Sequence, residues 1–324
     1  MGSPRQFLSR FSVYGDLPNR LQDWGTRICP HFLEPVFVFL YTAALFPLLG
    51  PVRRGILKNL SILLPGTRTP GNLARAFTLL ANFSTTLTDA GRCRNGQPAI
   101  DWEIEGHEHL AALAAEPGGA ILLTAHMGSY DVAAAFFSDR LGRPLNAVRA
   151  PERDARTQDW MRRKLVEEPA DGENAAAAPN RGVTVRYNAP DSLLGIDLVR
   201  ALDRGEYVAI QGDRVLFEVS PVEVPFGADS RAPRLAIPKG PFVLALASRA
   251  PVYPLFVIRT GWRRYRIRVD APFRCEAGSP RERDAAIRAA AARWVACLRP
   301  VVRRHWYQWF VLENAFRSGG APDS

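Results

Sequence analysis

The chain is poor in the residues that would mark several classes of protein. Its four cysteines, Cys29, Cys93, Cys275 and Cys297, are scattered through 324 residues without a C-x-x-C pair. This spacing excludes a disulfide-stapled module or a zinc ribbon and points to reduced thiols in a cytosol-facing compartment. Histidine is scarce, five in all. The pair in Gly106-His107-Glu108-His109 has no third ligand at suitable spacing, so it reads as a surface turn, and no metal site is expected. No G-x-S-x-G elbow frames Ser129, and no cysteine lies near His126 in the sequence, which leaves covalent nucleophiles poorly supported. There is no secretory cleavage pattern. Long hydrophobic runs are also rare: mean hydropathy is −0.11 and one segment stands out, which excludes a polytopic transporter or channel.

What is present is the composition of a folded protein, 47% hydrophobic and 23% charged, long enough for one large domain or two ordinary ones. Basic residues outnumber acidic ones by 42 to 32, a net charge of +10, which suits an acidic partner such as phospholipid headgroups, nucleic acid or an acidic carrier protein. The surplus lies toward the C-terminus, where residues 231–317 hold 18 Lys or Arg against five acids. The Arg263-Arg264-Tyr265-Arg266-Ile267-Arg268 run alternates as a strand with a solvated outer face. No nucleic-acid motif accompanies it, so nucleic acid is not expected as a partner.

Three regions follow along the chain. The charge-free run Pro35–Val52 (PVFVFLYTAALFPLLGPV), flanked by Arg27, Arg53, Arg54 and Lys58, reads as a membrane contact at the short limit for a span. Pro47 and Pro51 distort its far end, so a re-entrant or interfacial anchor competes with a single span. Helical patterns at Gly55–Leu64 and Leu73–Ala90 complete an all-helical leader of residues 1–100 with an anchor at about 35–52. From Asp101 to residue 324 the pattern is that of an α/β domain. Apolar strands are expected at Ala120–Ala125, Leu145–Arg149, Val183–Tyr187, Tyr207–Gln211 and Val252–Ile258. Helices are expected at Tyr130–Leu141, Arg153–Leu165, Ser192–Arg204 and Pro241–Ser248. Such alternation predicts a largely parallel or mixed sheet flanked by helices. Residues 166–182 read as a surface loop. A ribbon-like strand at Tyr265–Val269 closes the domain, before a helix from about Arg281 to Arg304 and the aromatic patch His305–Phe310.

The stretch most informative about chemistry is Ala120-Ile-Leu-Leu-Thr-Ala-His126-Met-Gly128-Ser129-Tyr-Asp131. An apolar strand ends at His126, Gly128 and Ser129 make the turn, and a helix opens near Asp131. Five residues apart on one helix, the two side chains would point about 140° apart, so they can meet only across a strand–turn–helix junction. There the helix N-terminus favours an ionised Asp131. A carboxylate on one imidazole nitrogen fixes the tautomer and frees the other nitrogen to take a proton from an attacking hydroxyl. The bare H-x4-[DE] spacing is weak, with about half a match expected by chance, and its context carries the reading.

HMGSYD (126–131), the apolar N-terminal segment, KNLSILLPG (58–66), Arg149-Ala-Pro, Gly212-Asp213-Arg214 and Val224-Pro225-Phe226-Gly227 together resemble the lipid A biosynthesis lauroyl/myristoyl acyltransferases. The likeness runs over roughly residues 30–315, includes the C-terminal aromatics, and places the chain within the lysophospholipid acyltransferase superfamily. It implies a bacterial inner-membrane enzyme, active on the cytoplasmic side. Such an enzyme moves a fatty acyl chain from an acyl carrier protein or coenzyme A thioester to a hydroxyl of a glycolipid. By that resemblance His126 is the catalytic base, Asp131 its orienting acid, and Arg149, Asp213 and Arg214 bind substrate beside Gly128 and Ser129, with no cofactor beyond the acyl thioester co-substrate. The family's double Phe is here Phe226-Gly227, the stretch 227–241 is longer, and the loop at 168–182 looks inserted, all where acceptor and acyl chain would be recognised. A lysophospholipid or aminolipid acceptor, a thioesterase using water, and a non-catalytic lipid-binding relative are the alternatives.

Overall fold

The computed structural model describes residues 21–22, 24–26, 28–94, 100–151, 182–188, 193–215, 221–227 and 232–317. Helices and strands are numbered below over these residues. The expected helix Arg153–Leu165 and all of the 166–182 loop but Gly182 lie outside them.

The leader includes the helices α1 (Glu34–Leu45), α2 (Gly50–Leu63) and α3 (Thr69–Arg94). The apolar run does not form one helix. It breaks at Phe46–Leu49, and the segments His31–Leu45 and Gly50–Leu63 meet at a bend of 104°. The break follows from its prolines, because Pro51 occupies the first turn of α2, where its missing N–H costs nothing. That proline also starts α2 at Gly50, five residues before the apolar periodicity suggests. No single helix among the described residues is long and apolar enough to cross a membrane, although the bent pair passes by length and composition together.

The strands are β1 (Asp101–Glu105), β2 (Ala120–Thr124), β3 (Leu145–Arg149), β4 (Val183–Tyr187), β5 (Tyr207–Gln211), β6 (Val222–Pro225), β7 (Arg234–Ile237), β8 (Val252–Gly261), β9 (Arg264–Val269) and β10 (Phe316–Arg317). The helices among them are α4 (His107–Ala115), α5 (Tyr130–Leu141), α6 (Leu194–Asp203), α7 (Gly240–Ser248) and α8 (Arg283–Arg304). Seven strands form one sheet in the order β1-β9-β8-β2-β5-β3-β4. β8, β2, β5, β3 and β4 run parallel, whereas β9 is antiparallel to β8 and parallel to β1, so the sheet is mixed. A second, antiparallel sheet has the order β10-β7-β6.

Helices cover both faces of the large sheet. Leu110 and Leu113 of α4 and Phe137 of α5 pack with Leu122, Tyr207, Leu255 and Tyr265 on one face. On the other, Leu198 of α6, Phe242 of α7 and Trp294 of α8 pack with Ile121, Leu123, Val208 and Phe256. The Trp294 indole stacks on Phe256 with centroids 5.4 Å apart. A run apolar over Ala120–Leu123, all four residues buried, is what two covered faces require of β2.

Three expectations are corrected. His107 and His109 belong to a helix rather than a surface turn, with Gly106 at φ 86° supplying the turn before it. The strand at 264–269 does not close the sheet, because β1 pairs along its outer side. Arg263 is not a solvated strand residue: it sits at φ 51° in the β8–β9 turn and is buried. There its Nη2 donates to both carboxylate oxygens of Glu34, at 3.0 and 3.1 Å. Arg92 Nε of α3 donates to the same Glu34. Glu34 is 2% exposed, so one carboxylate joins α1, α3 and the β8–β9 turn. Replacing Glu34 by Ala leaves two buried guanidinium groups without their shared counter-charge. It is expected to lower the unfolding free energy by about 3–5 kcal/mol in denaturant titrations; a loss below about 1 kcal/mol would mean the cluster holds little.

Candidate functional site

The sheet order decides what meets what at the carboxyl ends of the parallel strands. β5 lies directly beside β2, with Thr124 opposite Gln211. The Gly212 N–H continues the ladder to the Thr124 carbonyl at 2.9 Å. Two residues beyond that pair in each strand stand His126 and Asp213, and they are in contact. His126 Nδ1 lies 2.7 Å from Asp213 Oδ1, and the His126 backbone N–H donates to Oδ2 at 2.9 Å. Trp309 Nε1 donates to the same Oδ2 at 2.8 Å.

Asp213 is fully buried. Burial opposes its charge, but the facing His126 imidazole, the two bonds from His126 and the Trp309 indole N–H outweigh it and hold the carboxyl below the usual carboxylate range. An ionised carboxylate only accepts, so Nδ1 carries the proton of a neutral His126 and Nε2 presents its lone pair. What the pair can do chemically is take a proton at Nε2 and stabilise the imidazolium that results.

The C-terminal aromatics build the floor of the site. After α8, residues Trp306–Gln308 make a short 3-10 turn, and Trp309 bridges to Met127. Phe310 N donates to the His126 carbonyl at 2.7 Å. Trp294 Nε1 of α8 donates to the Gly212 carbonyl at 2.8 Å, which fixes the peptide before Asp213. The leader reaches the same segment. Asn59 Nδ2 donates to the carbonyls of Val311 and Glu313, at 2.9 and 2.8 Å, and Asn59 Oδ1 accepts from Ala315 N at 3.1 Å. The KNLS motif is thus a brace on the chain that carries Trp309.

Gly128 has φ 54°, and a Cβ there would come within 2.3 Å of the Val257 carbonyl, so the turn after His126 requires glycine. Ser129 precedes the first turn of α5; its Oγ is buried and finds no hydrogen-bond partner among the described residues. Asp131 falls in the first turn of α5, as the sequence suggests, but its side chain lies outside the described residues. Arg214 Nη2 donates to Glu313 Oε1 at 2.6 Å.

A cavity of about 1150 Å³ opens beside His126. Apolar side chains of α6 (Leu194, Leu198, Val199) and α7 (Val243, Leu244, Ala247) line it, and His126, Arg149, Gln211, Arg214 and Lys239 edge it. Arg149 and Arg214 therefore reach the same space as His126. Asp213 lies beneath it, holding the histidine, where the sequence had placed it on substrate. Trp294 and Gln211 were not singled out in the sequence, and Trp309 only as one of the C-terminal aromatics; a buried aspartate with room for one more donor is the signal that would have pointed to its role. Among the described residues no group of three His, Cys, Asp or Glu could hold a metal ion.

The fold and site define an α/β protein with a buried His–carboxylate pair at the mouth of an apolar cavity. The chain matches the model of the bacterial lipid A biosynthesis acyltransferases over residues 37–318; it belongs to that family and is an acyltransferase acting on an acyl donor and a lipid acceptor. A search of curated proteins found no match.

Because Asp213 is held below its unfolded value of 3.8, its contribution to stability is complete above that pH and is lost as pH falls through the lower, folded value. The stability difference between wild type and Asp213→Asn is therefore expected to narrow as pH falls below about 4. Denaturant titrations from pH 7 to pH 3 read it, and a difference that stayed constant throughout would contradict an ionised, stabilising Asp213.

Proposed function

We propose that this protein transfers a fatty acyl chain from an acyl carrier protein or coenzyme A thioester to a hydroxyl of a glycolipid, a lipid A precursor. The observation that carries the reading is the His126–Asp213 pair facing an apolar cavity large enough for a hydrocarbon chain. His126 Nε2 takes the acceptor hydroxyl's proton as its oxygen attacks the thioester carbon. The imidazolium then returns the proton to the leaving thiolate. Arg149 and Arg214 at the cavity mouth suit the phosphates of a glycolipid or a phosphopantetheine arm.

Nδ1 carries a single proton, and Asp213 accepts it, so we assign the orienting role to Asp213. Asp131 is placed at the N-terminal end of α5, where a carboxylate is favoured by the helix dipole. The leader, with Phe32, Val36, Phe39, Leu40 and Leu48 exposed, is the surface we assign to the cytoplasmic face of the bacterial inner membrane.

His126→Ala is expected to abolish transfer while leaving the fold intact. Asp213→Asn, which misplaces the imidazole proton, is expected to lower kcat on the order of 10³- to 10⁴-fold. Asp131→Asn is expected to cost less. Mass spectrometry of lipids from a host lacking the gene, restored with each variant, gives the readout in cells. A species one acyl chain short that regains the chain only with wild type supports the proposal and names the acceptor. A profile in which only lysophospholipids change moves the acceptor to that class, and transfer retained by His126→Ala would sink the mechanism.

A further inference from the structure

Resting on the reaction just proposed, we infer that Gln211 is a further catalytic residue, donating a hydrogen bond from its side-chain amide to the thioester carbonyl oxygen as that oxygen takes on charge. Gln211 ends β5, two residues before Asp213, and lines the same cavity as His126 and Arg149. Its Nε2 is buried and finds no hydrogen-bond partner among the described residues. A buried donor without an acceptor costs about 1–3 kcal/mol, so a stable fold retains one where an acceptor arrives with the substrate.

The strand register places it. Thr124 of β2 stands on one side of Gln211. On the other, β3 pairs with β5 as far as Ala147 and Ala209; Arg149 and Gln211 end the two strands two residues further on and line the same cavity. Arg149 in turn pairs with Tyr187 of β4, whose hydroxyl is also buried without a partner among the described residues. A row of Gln211, Arg149 and Tyr187 thus crosses the strand ends one step below His126 and Asp213. Neighbouring parallel strands lie about 4.8 Å apart, so the amide and the guanidinium fall within reach of one group bound at His126.

The step balances without any other co-reactant. As the acceptor oxygen bonds to the carbonyl carbon and its proton moves to His126 Nε2, the C=O π pair moves onto oxygen, where Gln211 and Arg149 hold it. The pair then re-forms the C=O, the C–S bond breaks, and the thiolate takes the proton from His126. Donors placed for charge that exists only in the transition state raise kcat and leave ground-state binding nearly untouched.

The test uses the full-length protein with an acyl thioester and the acceptor lipid extract, comparing wild type, His126→Ala, Gln211→Met and Gln211→Glu. Gln211→Met keeps the length of the side chain and removes the unpartnered donor. It is expected to lower kcat by about 10²- to 10³-fold with KM for the thioester within about threefold, while the thermal midpoint holds or rises. A residue that only supported the fold would lower the midpoint and leave kcat of the folded fraction unchanged, which would overturn the assignment. Gln211→Glu replaces the donor with an acceptor and serves if the Met variant does not fold; it is expected to lose kcat equally. Transfer by wild type, lost in His126→Ala but undiminished in both Gln211 variants, overturns the role of Gln211 alone. No transfer by wild type overturns the underlying reaction as well.

Discussion

Asp213 is a charge placed where no water reaches it, and much of the structure around it follows from that placement. The penalty for burying one carboxylate is several kcal/mol, and it is tolerated only when donors converge on both oxygens. Here the ring and backbone of His126 supply two, and the Trp309 indole supplies the third. Each donor constrains a distant part of the chain. His126 must stand at the end of β2 beside β5, and Trp309 must be brought under the sheet by the turn after α8. The leader's Asn59 holds the segment that follows. The pair is therefore a junction where leader, sheet and C-terminus must all be in register before the imidazole is correctly aimed.

This arrangement gives the two nitrogens of the imidazole different surroundings. Nδ1 is committed to a dry, ionised partner, and Nε2 is left to the cavity. The cavity is apolar along α6 and α7 and carries Arg149, Arg214 and Lys239 at its edge. Its chemistry matches a substrate with a long hydrocarbon tail and an anionic head, the combination that acyl donors and phosphorylated lipids share. The family to which the chain belongs acts on an acyl donor and a lipid acceptor, and the motifs that carry the resemblance find physical roles. Asn59 braces the C-terminal strand, Phe226 packs edge-on against Phe316 at 4.9 Å, and Gly212-Asp213 completes the histidine pair.

The central strands were legible in the sequence because each is a short run rich in apolar and β-branched residues bounded by turn residues. β3, β4 and β5 fall where periodicity put them, as does α5. The strands β1, β6, β7 and β10 were not: β6, β7 and β10 have four residues or fewer, too little alternation to separate them from loop, and β1 is the half-charged run DWEIE at the edge of the sheet. His126 and its turn could be read locally, because strand, glycine and helix are contiguous. Its buried partner could not be read that way. The chain runs β2, β3, β4, β5, which suggests β2 beside β3, yet β5 inserts between them and carries Asp213 to His126 from 87 residues away. Arg263 illustrates the same limit in a different setting: alternation assigned it to a solvated face, and a distant glutamate on the leader made it internal.

The central claim is that Asp213 holds the proton of His126 on Nδ1 and so leaves Nε2 as the base. Nitrogen-15 spectra of histidine-labelled protein at neutral pH test this directly, with His126→Gln identifying the resonance. The account predicts that the neutral form of the ring carries its proton on Nδ1, with the tautomer lost or mixed in Asp213→Asn. A ring protonated at Nε2, or one unaffected by Asp213→Asn, would contradict it.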